Sequence, residues 1–308
     1  MPLDPLAKRL LTMMAAAAPA ERRRPTTRER RASLAKLMQF ARWDASNVSA
    51  TDGVLPGPGG DIAYRLYAPE SGAPAPGFIF FHGGGMVAGS IETHDRVALA
   101  LAEVTACRLI SVDYRLAPEH KFPAAIEDAI AATEFVARNA ATLGIDAERL
   151  VIGGDSAGAT LAAVVCQHAL RHGPALVAQC LICPVLDFEE TSPSREAFAE
   201  NHLIDRATLE ADLADYLPDG TDPADVRISP LRALHVAGLP AAIIHTAEFD
   251  PMRDEGNAYA RKLLAAGVTV EHVCHDGMIH NFHAMSAVLP QARLILSQIG
   301  EQVRGAVG

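Results

Sequence analysis

The sequence predicts an α/β fold: a mostly parallel central sheet flanked by helices. Two observations carry this expectation. From Asp61 onward, short apolar runs rich in Ile, Val and Phe alternate with Ala-rich helical stretches. Several of those runs are apolar throughout, as strands covered on both faces must be. With 308 residues, 49% of them apolar, the chain can bury one large core or two modest ones.

The elements follow in order. Residues 10–18 form an apolar stretch behind Lys8 and Arg9, and Ala18-Pro19-Ala20 has the look of a secretion cleavage site. The stretch is short, however, Asp4 sits in its head, and Leu3, Leu6, Leu10 and Met13 fall at helical spacing. An amphipathic helix packed on the body is therefore expected. Residues 21–31, with six arginines and two glutamates around Pro25, read as a solvated helix face or loop.

Strands are expected at 62–67, 78–81, 108–113, 150–153, 176–183, 241–247 and 268–274, and helices at 93–105, 123–140, 157–171, 256–266 and 291–304. The acidic stretch 187–225, with Pro193, Pro218 and Pro223, interrupts this alternation. Residues 1–45 and 187–225 are expected to form a helical cap, and 46–186 with 226–308 the catalytic domain.

Composition excludes several classes of function. A net charge of −10 argues against binding a phosphate backbone, and no apolar run approaches the roughly 20 residues that span a bilayer. Five cysteines, thinly spread, imply no disulfide framework. Cys180 and Cys183 formally make a CxxC, but within a strand positions three apart face opposite ways. A cytoplasmic protein is expected, with a small molecule as its partner; a homo-oligomer is left open.

The strongest chemical signal is Gly154-Asp155-Ser156-Ala157-Gly158, between an expected strand and an expected helix. A serine on that sharp turn is exposed to substrate, and the helix aims its N-terminal amides at developing negative charge. The second signal is His82-Gly83-Gly84-Gly85 after Phe78-Ile79-Phe80-Phe81, where glycines let backbone N–H groups approach an oxyanion. Gly83 to Ala88 also fit a dinucleotide fingerprint, but no helix opens immediately and Glu103 lies in a helix, not at a strand end.

A nucleophilic serine needs a base and an orienting carboxylate, which in the order Ser, acid, His both follow Ser156. Asp250, just past an expected strand, is the favoured acid over Asp254 and Glu248, and Asp276 lies too near the histidines in sequence. His280, in an expected loop 276–280, is the favoured base, with His283 as backup and His272 and His275 as further candidates. The group His272, Cys274, His275, His280 and His283 lacks tight metal-ligand spacing, so no metal and no cofactor are expected.

These blocks, with Asp113-Tyr114-Arg115-Leu116-Ala117-Pro118-Glu119, Phe122-Pro123-Ala124-Ala125 and Asp250-Pro251-Met252-Arg253-Asp254, resemble the bacterial hormone-sensitive lipase family of α/β-hydrolases over nearly the whole chain. The resemblance implies Ser156 as nucleophile, His280 as base and Asp250 as acid. It implies oxyanion donors from Gly83, Gly84, Gly85 and Ala157, and an ester of short to medium acyl chain as substrate. Met86 stands where an aromatic residue is common, and Asn281 where glycine is common. Met86 and Asp155 are candidates for the substrate-binding wall, although Asp155, like Glu119, also reads as structural support. Asp113 and Arg115 are expected to brace the oxyanion loop as a charged pair. Lactone, amide or carbamate cleavage, acyl transfer and a non-catalytic ligand receptor remain as alternatives.

Overall fold

The computed structural model describes residues 2–17, 24–70, 72, 74–189 and 191–308. The cleavage-like Ala18-Pro19-Ala20 and the first three residues of the arginine-rich stretch lie outside the described residues. One eight-stranded sheet runs in the order β1-β2-β4-β3-β5-β6-β7-β8. Its strands are β1 (Val48–Gly57), β2 (Gly60–Pro69), β3 (Ala75–Phe81), β4 (Arg108–Val112), β5 (Ile145–Asp155), β6 (Ala178–Ile182), β7 (Ala241–Phe249) and β8 (Val270–Ile279). The pairings β1–β2 and β2–β4 are antiparallel, and every later pairing is parallel. The α/β-hydrolase architecture expected from the sequence is therefore present.

The apolar runs explain the centre of the sheet. Phe78, Ile79, Phe80 and Phe81 of β3, and Leu150, Val151 and Ile152 of β5, are buried on both faces. One face is covered by α4 (Ala124–Arg138), α5 (Ala157–His172) and α8 (Arg253–Ala265). The other face is covered by α1 (Pro5–Ala17), α3 (Ile91–Thr105) and α9 (Gln291–Val307). Helix α3 starts two residues earlier than the sequence suggests, because Ser90 and Thr93 close a capping box.

Three expectations are corrected. Helix α1 packs through Ala7 and Leu10, with Leu3 and Leu11 beside them, whereas Leu6 and Met13 face solvent. The arginine-rich stretch is not merely solvated. It opens α2 (Thr27–Leu37) through a capping box between Thr26 and Glu29, and Arg30 is buried. Strand β8 continues to Ile279, past the expected loop, because buried Met278 and Ile279 keep it in the sheet while Gly277 takes up an irregularity at φ +72°.

Between β6 and β7 the chain inserts α6 (Pro193–Ala197) and α7 (Arg206–Tyr216). Arg30 of α2 pairs with both Asp212 and Asp215 of α7, and Arg24 reaches Asp215 at 3.1 Å and the Ala211 carbonyl at 3.0 Å. These contacts fasten the N-terminal segment to the insertion. Among the described residues no helix is long and apolar enough to cross a membrane.

Candidate active site

Strand order decides where chemistry can occur. The glycine loop 83–85 follows β3, Ser156 follows β5, Cys183 follows β6, Asp250 follows β7 and His280 follows β8. Because β3, β5, β6, β7 and β8 are successive parallel neighbours, all five segments emerge at one carboxyl edge.

Ser156 sits at the turn into α5 with φ +53° and ψ −119°, a conformation that costs a residue with a side chain on the order of 1–3 kcal/mol. The surroundings hold it there. Its N–H donates to the Ile182 carbonyl at 2.8 Å, and its carbonyl accepts from Ala159 and Thr160 at 3.1 and 3.3 Å. The glycine requirement is visible at Gly158, where a Cβ would overlap the Phe81 carbonyl oxygen. The turn can lie this close to β3 only without a side chain at that position.

His280 Nε2 lies 3.1 Å from Ser156 Oγ, and His280 Nδ1 lies 2.8 Å from Asp250 Oδ2. The carboxylate partner assigns the Nδ1 proton, which leaves Nε2 as the acceptor facing the serine. Asp250 Oδ1 accepts from the Met252 N–H at 2.8 Å, which fixes the carboxylate plane. Asp250 and His280 are fully buried and Ser156 is 5% exposed, so the line of three meets solvent at its serine end. Such a line can move a proton off the hydroxyl as it attacks an acyl carbon.

The rival residues are engaged elsewhere. Asp254 accepts from the Ser194 N–H at 2.9 Å and from Arg253 at 3.0 Å, and Glu248 accepts from the Gly277 N–H at 2.7 Å. His275 Nε2 meets His245 Nδ1 at 2.7 Å, while His272 meets Thr246 at 3.2 Å. His272, Cys274, His275 and His283 are not part of the one cluster of potential ligand atoms that the fold assembles among the described residues. Burial instead brings Cys183, Asp250 and His280 together, with ligand atoms all within 4.8 Å. Cys183, expected only as a strand position in a formal CxxC with Cys180, gives no sign in the sequence of this juxtaposition.

The glycine loop is built from below. Buried His82 stacks on Tyr114 at 4.4 Å and on His94 at 5.2 Å, and Tyr114 Oη donates to the His82 carbonyl at 2.7 Å. The Gly83 N–H donates to Asp155 Oδ1 at 3.0 Å, so this amide is already spoken for. The N–H groups of Gly84, Gly85 and Ala157 have no partner among the described residues. Gly84 holds φ +122° and Gly85 φ +65°, conformations that L side chains rarely adopt.

Asp155 is 1% exposed and faces inward, beneath the loop rather than along a substrate wall. Its Oδ2 lies 3.6 Å from His94 Nε2 and 3.7 Å from His283 Nε2. Burial works to raise its carboxyl, but His94, His283 and His82 outweigh this and hold it well below the usual carboxylate range. Burial pushes His283 down to about 4 and His82 down to about 3, so both rings are neutral at pH 7. Met86 is 1% exposed at φ +62°, and its carbonyl accepts from the Ala117 N–H at 2.9 Å.

Asp113 and Arg115 do not form the expected pair. Arg115 turns to Asp128 of α4, at 2.8 Å, because that carboxylate is fully buried and needs a cation. The outer brace comes from α2, where Arg31 reaches the Val87 carbonyl at 2.8 Å, the Ala117 carbonyl at 3.1 Å and Glu119 at 2.6 Å. A side chain on Gly85 would overlap the Asp212 carboxylate, so α7 also closes on this loop. Beside Pro251, Phe188, Arg195, Ala199, Leu209 and Leu213 line a cleft of about 140 Å³.

Residues 78–284 match the family described as having the alpha/beta hydrolase fold. Carboxylic ester hydrolase LipN of Mycobacterium tuberculosis is 41% identical over 243 residues, 77% of this chain and 65% of LipN, so the match spans just under two thirds of that relative. Carboxylesterase NlhH of the same organism is 42% identical over 238 residues, 75% of this chain and 74% of NlhH. The hyperthermophilic esterase from the archaeon Pyrobaculum calidifontis superposes with a TM-score of 0.94 at 36% identity, covering all of both chains. The chain belongs to the α/β-hydrolase family and, within it, to the hormone-sensitive-lipase-like carboxylic ester hydrolases.

Proposed function

We propose that this protein hydrolyses carboxylic esters of short to medium acyl chain through a covalent acyl-enzyme on Ser156. The observation that carries the reading is the unbroken line from Ser156 Oγ through His280 to Asp250, at 3.1 and 2.8 Å. The unengaged amides of Gly84, Gly85 and Ala157 support it as the oxyanion donors. Gly83, whose amide serves Asp155, is left out of the hole.

In the first half-reaction Ser156 Oγ bonds to the acyl carbon as His280 Nε2 takes the hydroxyl proton, and Asp250 stabilises the imidazolium. The proton then passes to the departing alcohol oxygen as the ester C–O bond breaks. Water attacks the acyl-enzyme by the same route, and the carboxylic acid leaves. Residues 1–45 and 187–225 form the cap in this reading, and the cleft beside Pro251 receives one arm of the ester.

The test is a panel of p-nitrophenyl esters from two to sixteen carbons, run beside Ser156→Ala. Turnover that depends on Ser156 and peaks at short to medium chains is expected. Turnover surviving in Ser156→Ala removes the mechanism, and a preference for the longest esters removes the substrate class.

A further inference from the structure

Cys183 stands between the strands that carry the nucleophile and the acid, because β6 lies between β5 and β7. Its backbone is held at φ +46°, and its N–H donates to the His245 carbonyl at 2.7 Å. That left-handed conformation is unusual for a residue with a side chain. The result is a fixed thiol behind the triad: Cys183 Sγ, an Asp250 oxygen and a His280 nitrogen lie within 4.8 Å of one another.

We propose that Cys183, Asp250 and His280 form a latent inhibitory site for a thiophilic divalent cation, with Zn²⁺ as the committed ligand. The consequence for turnover rests on the reading of Ser156, His280 and Asp250 as the catalytic triad. Sulfur, nitrogen and oxygen donors together suit Zn²⁺, whose ligand atoms lie about 3–4 Å apart, so the thiol draws in by up to about 1 Å while the 2.8 Å hydrogen bond between Asp250 and His280 opens to admit the ion. Charge also favours the ion. One thiolate and one carboxylate neutralise Zn²⁺, which leaves no net charge in a pocket where Cys183 is 1% exposed and both partners are fully buried.

Binding forms bonds from Zn²⁺ to Cys183 Sγ, Asp250 Oδ2 and His280 Nδ1, and water completes the set. The thiol proton leaves to solvent and the imidazole proton moves from Nδ1 to Nε2; no atom is oxidised or reduced. Once Nε2 carries that proton it cannot accept the one on Ser156. The ion thus disables the base from behind and lowers kcat without occupying the substrate cleft. Because the site is sealed, inhibition sets in slowly.

The experiment titrates the chelator-stripped full chain with ZnCl₂, and separately with CdCl₂ to read cadmium–thiolate absorption in the ultraviolet. Wild type is expected to bind one equivalent tightly, to show the absorption, and to lose about tenfold or more in kcat with KM unchanged, all restored by EDTA. The nearly isosteric Cys183→Ser should lose the absorption and weaken Zn²⁺ inhibition about tenfold or more, whereas Cys274→Ser should keep both. Absorption that survives in Cys183→Ser, or equal Zn²⁺ sensitivity of that variant and wild type, overturns the site. The absorption and stoichiometry need no substrate. A metal-free protein without esterase activity would therefore sink the proposed function while the site is still judged by its own readout.

Discussion

Asp250 and Asp155 are two fully buried carboxylates that face imidazoles at the same sheet edge, yet their geometries differ. Asp250 Oδ2 meets His280 at 2.8 Å, and that ring reaches the serine hydroxyl with its other nitrogen. Asp155 Oδ2 stands 3.6 and 3.7 Å from His94 and His283, beyond hydrogen-bond range, and spends its other oxygen on the Gly83 amide. The first arrangement aligns a proton path; the second fixes a loop by placing a charge beneath it. Residue type and burial do not separate the two. Distance and the identity of the third group do.

The largest effects should come from cutting the first arrangement. Ser156→Ala and His280→Ala are each expected to lower kcat on p-nitrophenyl butyrate by about 10⁵-fold or more, with unchanged thermal unfolding. If either variant kept a tenth of wild-type turnover, the line of three would not be the catalytic one.

Next in size is the contrast between neighbouring acids. Asp250→Asn should cost about 10⁴-fold, because an amide there favours the wrong imidazole tautomer. Asp254→Asn, whose carboxylate serves Ser194 and Arg253, should change kcat less than about threefold, as surface-type substitutions do. Similar losses in both would reassign the acid. Asp155→Asn falls between these extremes, since it loosens Gly83 and with it the glycine loop. A loss of about 10- to 100-fold in kcat with little change in KM is expected from steady-state kinetics, the scale of a misplaced catalytic group.

The smallest effect on turnover, and a distinct one on stability, belongs to His283. A histidine whose folded pKa is depressed leaves stability intact above its unfolded value of about 6.5 and loses it as pH falls toward the folded value. His283 is held down to about 4, and His82 and His245 to about 3, all chiefly by burial. Each should therefore remove about 2 kcal/mol of folding stability between pH 7 and pH 5. His283→Leu should flatten that decline in urea melts while moving kcat at pH 7 less than about threefold. An unchanged slope would mean that His283 is not the neutral buried ring described above.

Much of this was legible in the sequence because the informative residues are punctuated by glycine. The runs around Phe78–Phe81 and Leu150–Ile152 declare buried strands, and the flanking glycine motifs locate the loop and the serine. Other features carry no such mark. Strand β1 was not anticipated, since Val48 to Gly57 is mostly solvent-facing, includes Gly53 and Pro56, and buries only Leu55; backbone pairing with β2 holds it in place. His94 lies on the buried face of α3 and nothing local announces that it faces Asp155, 61 positions later in the chain. Cys183 looks like strand filler until strand order sets it behind Asp250. Arg30 and Arg31 read as generic surface charge because their partners, Asp212, Asp215 and Glu119, lie far along the chain.

The buried Arg30 guanidinium, shared by Asp212 and Asp215, has a practical corollary for protein engineers. Grafting a relative's insertion onto this scaffold without its matching leader would strand a cation, or two acids, inside a closed seam. Chimeras should accordingly exchange both pieces together, and a library that randomises one alone will be dominated by misassembled members.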